Sequence, residues 1–113
     1  MVYLLENTLN SKKYVGKKFF WKPHYRMVNK KKKKSIVESD WKDYYGSNKV
    51  LQEEIEQIGK DKIKRTVLHL CKTKTQCAYY ELKEQVERDV LFLDEYYNGF
   101  VGGKINGKYL EKL

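Results

Sequence analysis

The chain of 113 residues predicts one α/β (α+β) domain spanning residues 1–113. Three observations predict it. Two β-prone stretches near the N-terminus flank a run of turn-forming residues. Two later segments carry helix caps and helical apolar spacing. An apolar run lies between those two helices. A hydrophobic content of 41% suffices for one modest core, while 35% charged residues and a single proline imply a well-wetted surface. No apolar run approaches the ~20 residues of a membrane span. The N-terminus leads straight into a strand rather than a signal peptide. The expectation is a cytoplasmic protein with no membrane partner.

The first element is a β-hairpin. Val2–Leu5 and Lys13–Val15 are β-prone, and Asn7–Ser11 supplies the turn chemistry. Tyr3 and Tyr14 fall on the two paired strands, close enough for their phenols to share one site, or to serve only in packing. The next stretch, Lys17-Lys18-Phe19-Phe20-Trp21-Lys22-Pro23-His24-Tyr25-Arg26, interleaves cations and rings. Such a pattern suits a nucleic-acid face, where cations meet phosphate and rings stack, and it suits equally a simple cover for the sheet. Pro23 argues against one long helix here. Lys30, Lys31, Lys32, Lys33 and Lys34 form an unbroken run, expected as a mobile loop ordered on a phosphate backbone. The whole basic loop is expected over about residues 17–40.

Ser47 or Asn48 is the expected N-cap of a helix running to Ile58, with Leu51, Ile55 and Ile58 on one face and Gly59 as the stop. Ile63–Cys71 reads as the best strand, and its Val67–Cys71 stretch is apolar on both sides, as expected for a strand covered by helices. His69 within it reads more as a satisfied core histidine than as a ligand. Thr75 is the expected cap of the last helix, Gln76–Leu91, whose core stripe is Ala78, Leu82, Val86 and Val90. A tail over about 99–113 follows, with a turn at Asn106-Gly107. Cys71 and Cys77 have the numbers for neither a zinc cluster nor a disulfide framework and read as buried thiols in a reducing compartment.

Charge is segregated along the chain. Residues 1–37 hold eleven Lys or Arg against Glu6 alone, a net +10, whereas residues 38–113 hold thirteen basic against fourteen acidic groups, a net −1. No carboxylate lies between Asn7 and Val37. A solvated surface needs no such segregation, but a polyanionic partner does. Nucleic acid is the first candidate. An anionic membrane surface is less apt, because the segment has no amphipathic apolar face to insert.

With these residues in view, Met1-Val2-Tyr3 and Tyr14-Val15-Gly16 together resemble the two-part motif of the GIY-YIG nucleases, with Met-Val standing in place of the first Gly-Ile. The intervening NTLNSKK resembles the asparagine-rich turn of phage homing endonucleases. GSNKVLQEEIEQIGKDKIKRTVLHLC resembles the family's middle portion, YYELKEQ its glutamate helix, and YYN, ending at Asn98, its closing asparagine. The resemblance runs from Val2 to about Asn98 and is closest to small phage-encoded Seg-like members of homing type. It implies a three-stranded antiparallel sheet flanked by helices and metal-dependent cleavage of DNA phosphodiesters. It also implies one glutamate holding the metal.

Among Glu81, Glu84 and Glu87, the helical wheel places Glu84 opposite the apolar stripe and Glu81 on its flank beside Ala78 and Gln85. Glu81 is therefore the chosen ligand and Glu84 the reserve. A single carboxylate suits Mg²⁺ (or Mn²⁺), which keeps most of its waters. Tyr3 or Tyr14 would orient or deprotonate the attacking water. Arg26, the only arginine in the basic third, would stabilise the phosphoryl charge, with Lys17 or Lys18 sharing the role. Arg26 lies twelve residues after Tyr14 and beyond Pro23, a departure from the family spacing. Lys17, Lys18, Lys22, Arg26 and Lys30–Lys34 form the expected DNA grip, with Gly16, Asn48 and Asn98 as further site candidates. Sequence specificity would come from this domain, its tail, a homodimer partner or an accessory DNA-binding protein. The competing reading is a non-catalytic DNA- or RNA-binding module using the same surface.

Overall fold

A computed structural model describes residues 1–102 and 104–110. Strand β1 (Val2–Asn7) is central in a three-stranded antiparallel sheet of order β2-β1-β5, with β2 at Lys13–Lys17 and β5 at Ile63–His69. Between β2 and β5 come β3 (Trp21–Val28), β4 (Lys31–Glu38) and helix α1 (Lys49–Ile58). Helix α2 (Lys74–Glu87) follows β5, and a small ladder of β6 (Phe100–Val101) and β7 (Ile105–Asn106) comes last among the strands. The fold is the expected α+β arrangement of an antiparallel sheet flanked by helices.

Alternation along β1 builds two cores, one on each face. Met1, Tyr3 and Leu5 pack with Leu51 and Ile55 of α1 and with Ile63. Val2 and Val15 pack with Cys77 of α2, Val90 and Val101. Side chains two residues apart point the same way, so one strand serves both layers. The hairpin turn is held by its asparagines: Asn7 Oδ1 accepts from Leu9 N at 3.0 Å, and Asn10 Oδ1 accepts from Lys12 N at 2.9 Å. Helix α1 keeps its expected limits. Asn48 accepts from Leu51 N at its start, and Gly59, at φ 88°, donates its N–H to Ile55 O at its end.

The strand expected over 63–71 lies at the sheet edge, and its apolar Val67–Cys71 stretch is not covered on two faces. Its last two residues fall beyond β5, and Leu70 is 75% exposed. The doubly covered strand is β1, because it alone lies between two partners. Helix α2 starts earlier than expected: Thr73, not Thr75, accepts from Gln76 N. It ends at Glu87 rather than Leu91, and its chain reverses at Asp89, where φ is 52°.

The inward face of α2 also differs from the wheel. Cys77, Glu81 and Gln85 are buried, whereas Ala78, Leu82 and Val86 are exposed, and only Val90 of the expected stripe is covered. The helix packs along strand β2, whose outer edge has backbone groups to satisfy. Its inner side therefore carries a glutamine and a glutamate where an ordinary core helix would carry leucines.

The basic segment is a second hairpin, β3–β4, and not a loop. Val28 and Lys31 flank Asn29 and Lys30, which both take positive φ (51° and 62°), the pattern of a two-residue type I′ turn. Lys31–Lys34 are strand residues. Pro23 is tolerated because this two-stranded ribbon has free edges on both sides. At its root, Phe20 meets Trp41 edge-to-face at 4.9 Å, and Ser39 N donates to Phe20 O. In the tail, Asn106 caps a short 3-10 turn at Gly107–Tyr109. Residues 103 and 111–113 of the expected tail lie outside the described residues. No helix among the described residues is long and apolar enough to cross a membrane.

Candidate active site

One cleft of ≈ 570 Å³ opens where the edge of β2 meets α2 and the segment before α1. Tyr3, Tyr14, Lys17, Asn48, Glu81 and Asn98 all line it. The two tyrosines come together because β1 and β2 pair with Leu5 opposite Tyr14 and Tyr3 opposite Gly16. Their rings lie 6.5 Å apart, and Tyr44 meets Tyr3 edge-to-face at 6.3 Å.

Gly16 makes this convergence sterically feasible. A Cβ there would come within 2.6 Å of the Tyr3 hydroxyl oxygen and 2.8 Å of the Tyr14 ring. The glycine of the second half-motif thus leaves the space that both rings fill. Gly46, at φ 82°, also lies against the Tyr14 ring, where a Cβ would come within 3.1 Å of it.

Asn98 and Gln85 bind the free edge of β2. Val15 N donates to Asn98 Oδ1 at 3.0 Å, and Asn98 Nδ2 donates back to Val15 O at 2.8 Å. Gln85 Nε2 donates to the same carbonyl at 3.0 Å. This edge would otherwise present unpaired backbone groups. The two amides also fix α2 against the sheet and so place Glu81. Asn48 has a comparable part: besides capping α1, its Nδ2 donates to Tyr97 O at 2.8 Å and ties the helix start to the closing segment.

Glu81 is 9% exposed, and its Oε1 lies 3.5 Å from Lys17 Nζ. Burial raises its carboxyl above the usual carboxylate range, and the Lys17 charge offsets this only in part. Both cleft tyrosines are raised as well. Burial dominates at Tyr3, with the neighbouring phenols and Glu81 adding to it. At Tyr14 burial again leads, against a lowering hydrogen bond with Ser47. The cleft as it stands keeps both phenols protonated.

Glu84, the reserve carboxylate, is already engaged and does not line the cleft. Its Oε1 is 2.8 Å from His69 Nε2 and its Oε2 accepts from Arg88 Nε at 2.9 Å. Burial alone would raise it, but Arg88 and His69 outweigh burial and hold its carboxyl below the usual range. His69 is further stacked on Tyr80 with centroids 4.4 Å apart, so it is satisfied as expected but half-buried rather than part of the core. Glu84 does not point into solvent, because the inward side of α2 is the one that carries Cys77 and Glu81.

Arg26 is not among the residues lining the cleft. It sits on β3 opposite Lys33, exposed on the projecting ribbon. Lys22 and Lys30–Lys34 share that ribbon, whereas Lys18 stays at its root, 2.7 Å from Asp40 and with its ammonium 4.1 Å from the Tyr44 ring centroid. Residues that the sequence reading missed also line the cleft: Tyr44, Ser47, Lys49 and Gln85. Tyr44 and Ser47 could have been suspected from the polar, glycine-containing stretch before the Asn48 cap. Gln85 could not, because its role depends on which face of α2 turns inward. Arg65, on β5, donates to the carbonyls of Trp41 at 2.7 Å and Tyr44 at 3.2 Å, which holds the segment that brings Tyr44 to the cleft.

An antiparallel sheet with paired tyrosines beside a helix-borne glutamate is the arrangement of a GIY-YIG nuclease domain. The family model described as "Putative endonuclease segE, GIY-YIG domain" matches residues 1–101, and the chain belongs to that family. No curated protein and no solved structure matches the chain.

Proposed function

We propose that this protein is a metal-dependent DNA endonuclease that hydrolyses phosphodiester bonds in the Tyr3–Tyr14–Glu81 cleft. The observation that carries the reading is the convergence of Tyr3, Tyr14, Lys17 and Glu81, from two strands and a helix, on one cleft. An ordinary core would not bury a carboxylate beside three phenols.

The donor set fits a hard divalent cation such as Mg²⁺ or Mn²⁺. No group of three or more His, Cys, Asp or Glu side chains that could hold a metal exists among the described residues. A lone carboxylate fits an ion that retains waters and takes further oxygens from a phosphate. Glu81 would hold it, and the bound cation would supply positive charge for the phosphoryl oxygens and for the ionising water. Lys17, paired with Glu81, would add its charge to the phosphate. Burial keeps the phenols neutral, so Tyr14 acts through its hydroxyl as a hydrogen-bonding group that orients the attacking water, with Tyr3 behind it.

Incubation with supercoiled plasmid, with and without Mg²⁺, tests the reading. Wild type nicks or linearises the plasmid with Mg²⁺, and Glu81→Gln leaves it intact while binding DNA with nearly unchanged affinity. Cleavage by Glu81→Gln at the wild-type rate would remove Glu81 from the site.

A further inference from the structure

The β3–β4 ribbon has two chemically distinct faces. In an antiparallel pair, directly opposed residues share a face, and faces alternate along each strand. The register sets His24 opposite Ser35 and Arg26 opposite Lys33, with Lys22 and Lys31 on the same face. Apart from Val28 and Val37, this face is made of hydrogen-bond donors. The other face carries Trp21, Tyr25, Met27 and Ile36, together with Lys32 and Lys34. Lys32 there lies with its ammonium 4.5 Å from the Tyr25 ring centroid. Alternation therefore splits the lysine run between the two faces.

The ribbon is exposed along nearly its whole length and projects from a molecule with extents of 57 × 30 × 24 Å. Its single acid, Glu38, lies at the root and is taken by Lys42 at 3.6 Å and by Trp41 Nε1 at 2.9 Å. The seven cations further out face solvent with no carboxylate in their stretch of chain. Eight residues per strand at ~3.3 Å each give a reach of roughly 26 Å, or about eight base pairs of duplex. Two strands ~4.8 Å apart with their side chains fill the ≈ 12 Å major groove and are too wide for the ≈ 6 Å minor groove.

We infer that this ribbon enters the major groove of duplex DNA with its donor-rich face toward the bases, and that Arg26 reads a guanine edge there. The inference rests on DNA being the substrate and adds how sequence is recognised. Arg26 is thus a specificity-determining residue on the ribbon rather than part of the cleft. The guanidinium fork matches O6 and N7 of guanine, and the facing Lys33, with Lys31 nearby, supplies the charge to hold the phosphate walls. A lysine-rich loop contacting phosphate alone would need no fixed register, but a type I′ turn and eight paired positions fix one.

The test separates recognition from cleavage. Wild-type protein in EDTA is used to select bound duplexes from a randomised pool, and dimethyl sulfate interference is then mapped on the preferred site. Methylation at guanine N7 reports the major groove and at adenine N3 the minor groove. The expected result is N7 interference within a stretch of about eight base pairs. Arg26→Ala should abolish it at one guanine and lower affinity for the preferred site roughly 10–100-fold. Random-sequence DNA should be bound within a few-fold of wild type, and Arg26→Lys should restore only part of the preference.

Interference only at adenine N3, or at no base, overturns the inference. So does an Arg26→Ala loss that is equal on all sequences, or a preference that follows Tyr25→Ala or Met27→Ala instead. Base reading without any cleavage would leave the ribbon assignment standing and sink the nuclease reading. Plasmid cleavage without base interference would do the reverse.

Discussion

Two antiparallel hairpins lie next to each other in this chain and are built on opposite physics. The β1–β2 hairpin is buried on both sides: helices cover it, and Asn98 and Gln85 close its outer edge. The β3–β4 ribbon is anchored at its root and beyond it has its own ladder and turn, and Met27 near its tip is 67% exposed. An isolated two-stranded hairpin is marginal in water. The first hairpin can therefore hold side chains to a fixed geometry, as a reaction site requires. The second is ordered mainly through its turn and root, and its exposed face is suited to a large, charged partner. Secondary structure alone does not separate the two; what covers them does.

The largest expected effects lie in the covered hairpin. Tyr14→Phe keeps the ring and removes the oxygen, so cleavage should fall by roughly 10²–10³, the scale of losing one preorganised hydrogen-bonding group from a reaction site. Tyr3→Phe should cost less, because Tyr3 is the more deeply buried of the two. DNA affinity should survive both changes. Wild-type rates in both variants would reduce the pair to framework and dissolve the contrast with the ribbon.

Gly16→Ala sharpens the same point through stability. The new methyl would meet the buried Tyr3 hydroxyl at 2.6 Å, an overpacking that costs ~1–3 kcal/mol. Denaturant midpoints should record the loss. The matching change on the ribbon, Ser35→Ala, should stay within ~0.5 kcal/mol, as surface substitutions do.

Replacing Lys30–Lys34 with glutamine moves a different quantity. Binding should weaken on all duplexes, and the slope of log affinity against log salt should flatten by ~0.9 for each phosphate that is no longer neutralised. Thermal stability should hold. An unchanged slope would show that these lysines stand clear of the DNA.

The smallest effect is a pH dependence. Burial raises the Glu81 carboxyl above its ordinary 4.5, so folding favours its protonated form. That contribution is complete below about 4.5 and is lost as pH rises through the raised value. Above that raised value the ionised Glu81 therefore costs stability. Glu81→Gln, neutral throughout, should melt slightly higher than wild type at pH 7, with the gap closing in acid. Mg²⁺ should raise the melting temperature of wild type and not of the variant. A lower melting temperature for Glu81→Gln at pH 7 would mean that the Lys17 contact outweighs the desolvation.

Much was legible in local sequence because its cause is local. The first hairpin, α1 with Asn48 and Gly59 at its ends, and the segregation of charge each follow from neighbouring residues, turn chemistry and caps. The two half-motifs placed Tyr3, Tyr14 and Gly16 together because a short turn allows only a few registers. The five lysines at 30–34 misled: a charge run reads as a loop, and the two left-handed residues at Asn29-Lys30 that make it a ribbon carry a weak signal.

Glu81 and Arg26 mark the boundary between what is written along the chain and what folding adds. Residue order was enough to set a glutamate helix after β5 and to gather the cations in the first third. It took the packing of α2 on β2 to turn Cys77, Glu81 and Gln85 inward, the reverse of what the apolar stripe suggests. A helical wheel assumes that the buried side is the greasy one, and that assumption fails where a helix closes the open edge of a strand and borders a cleft. Likewise, it was strand register that put Arg26 on a projecting face, away from Glu81. Spacing along a chain sets which residues are near in sequence, but burial and pairing set which of them meet.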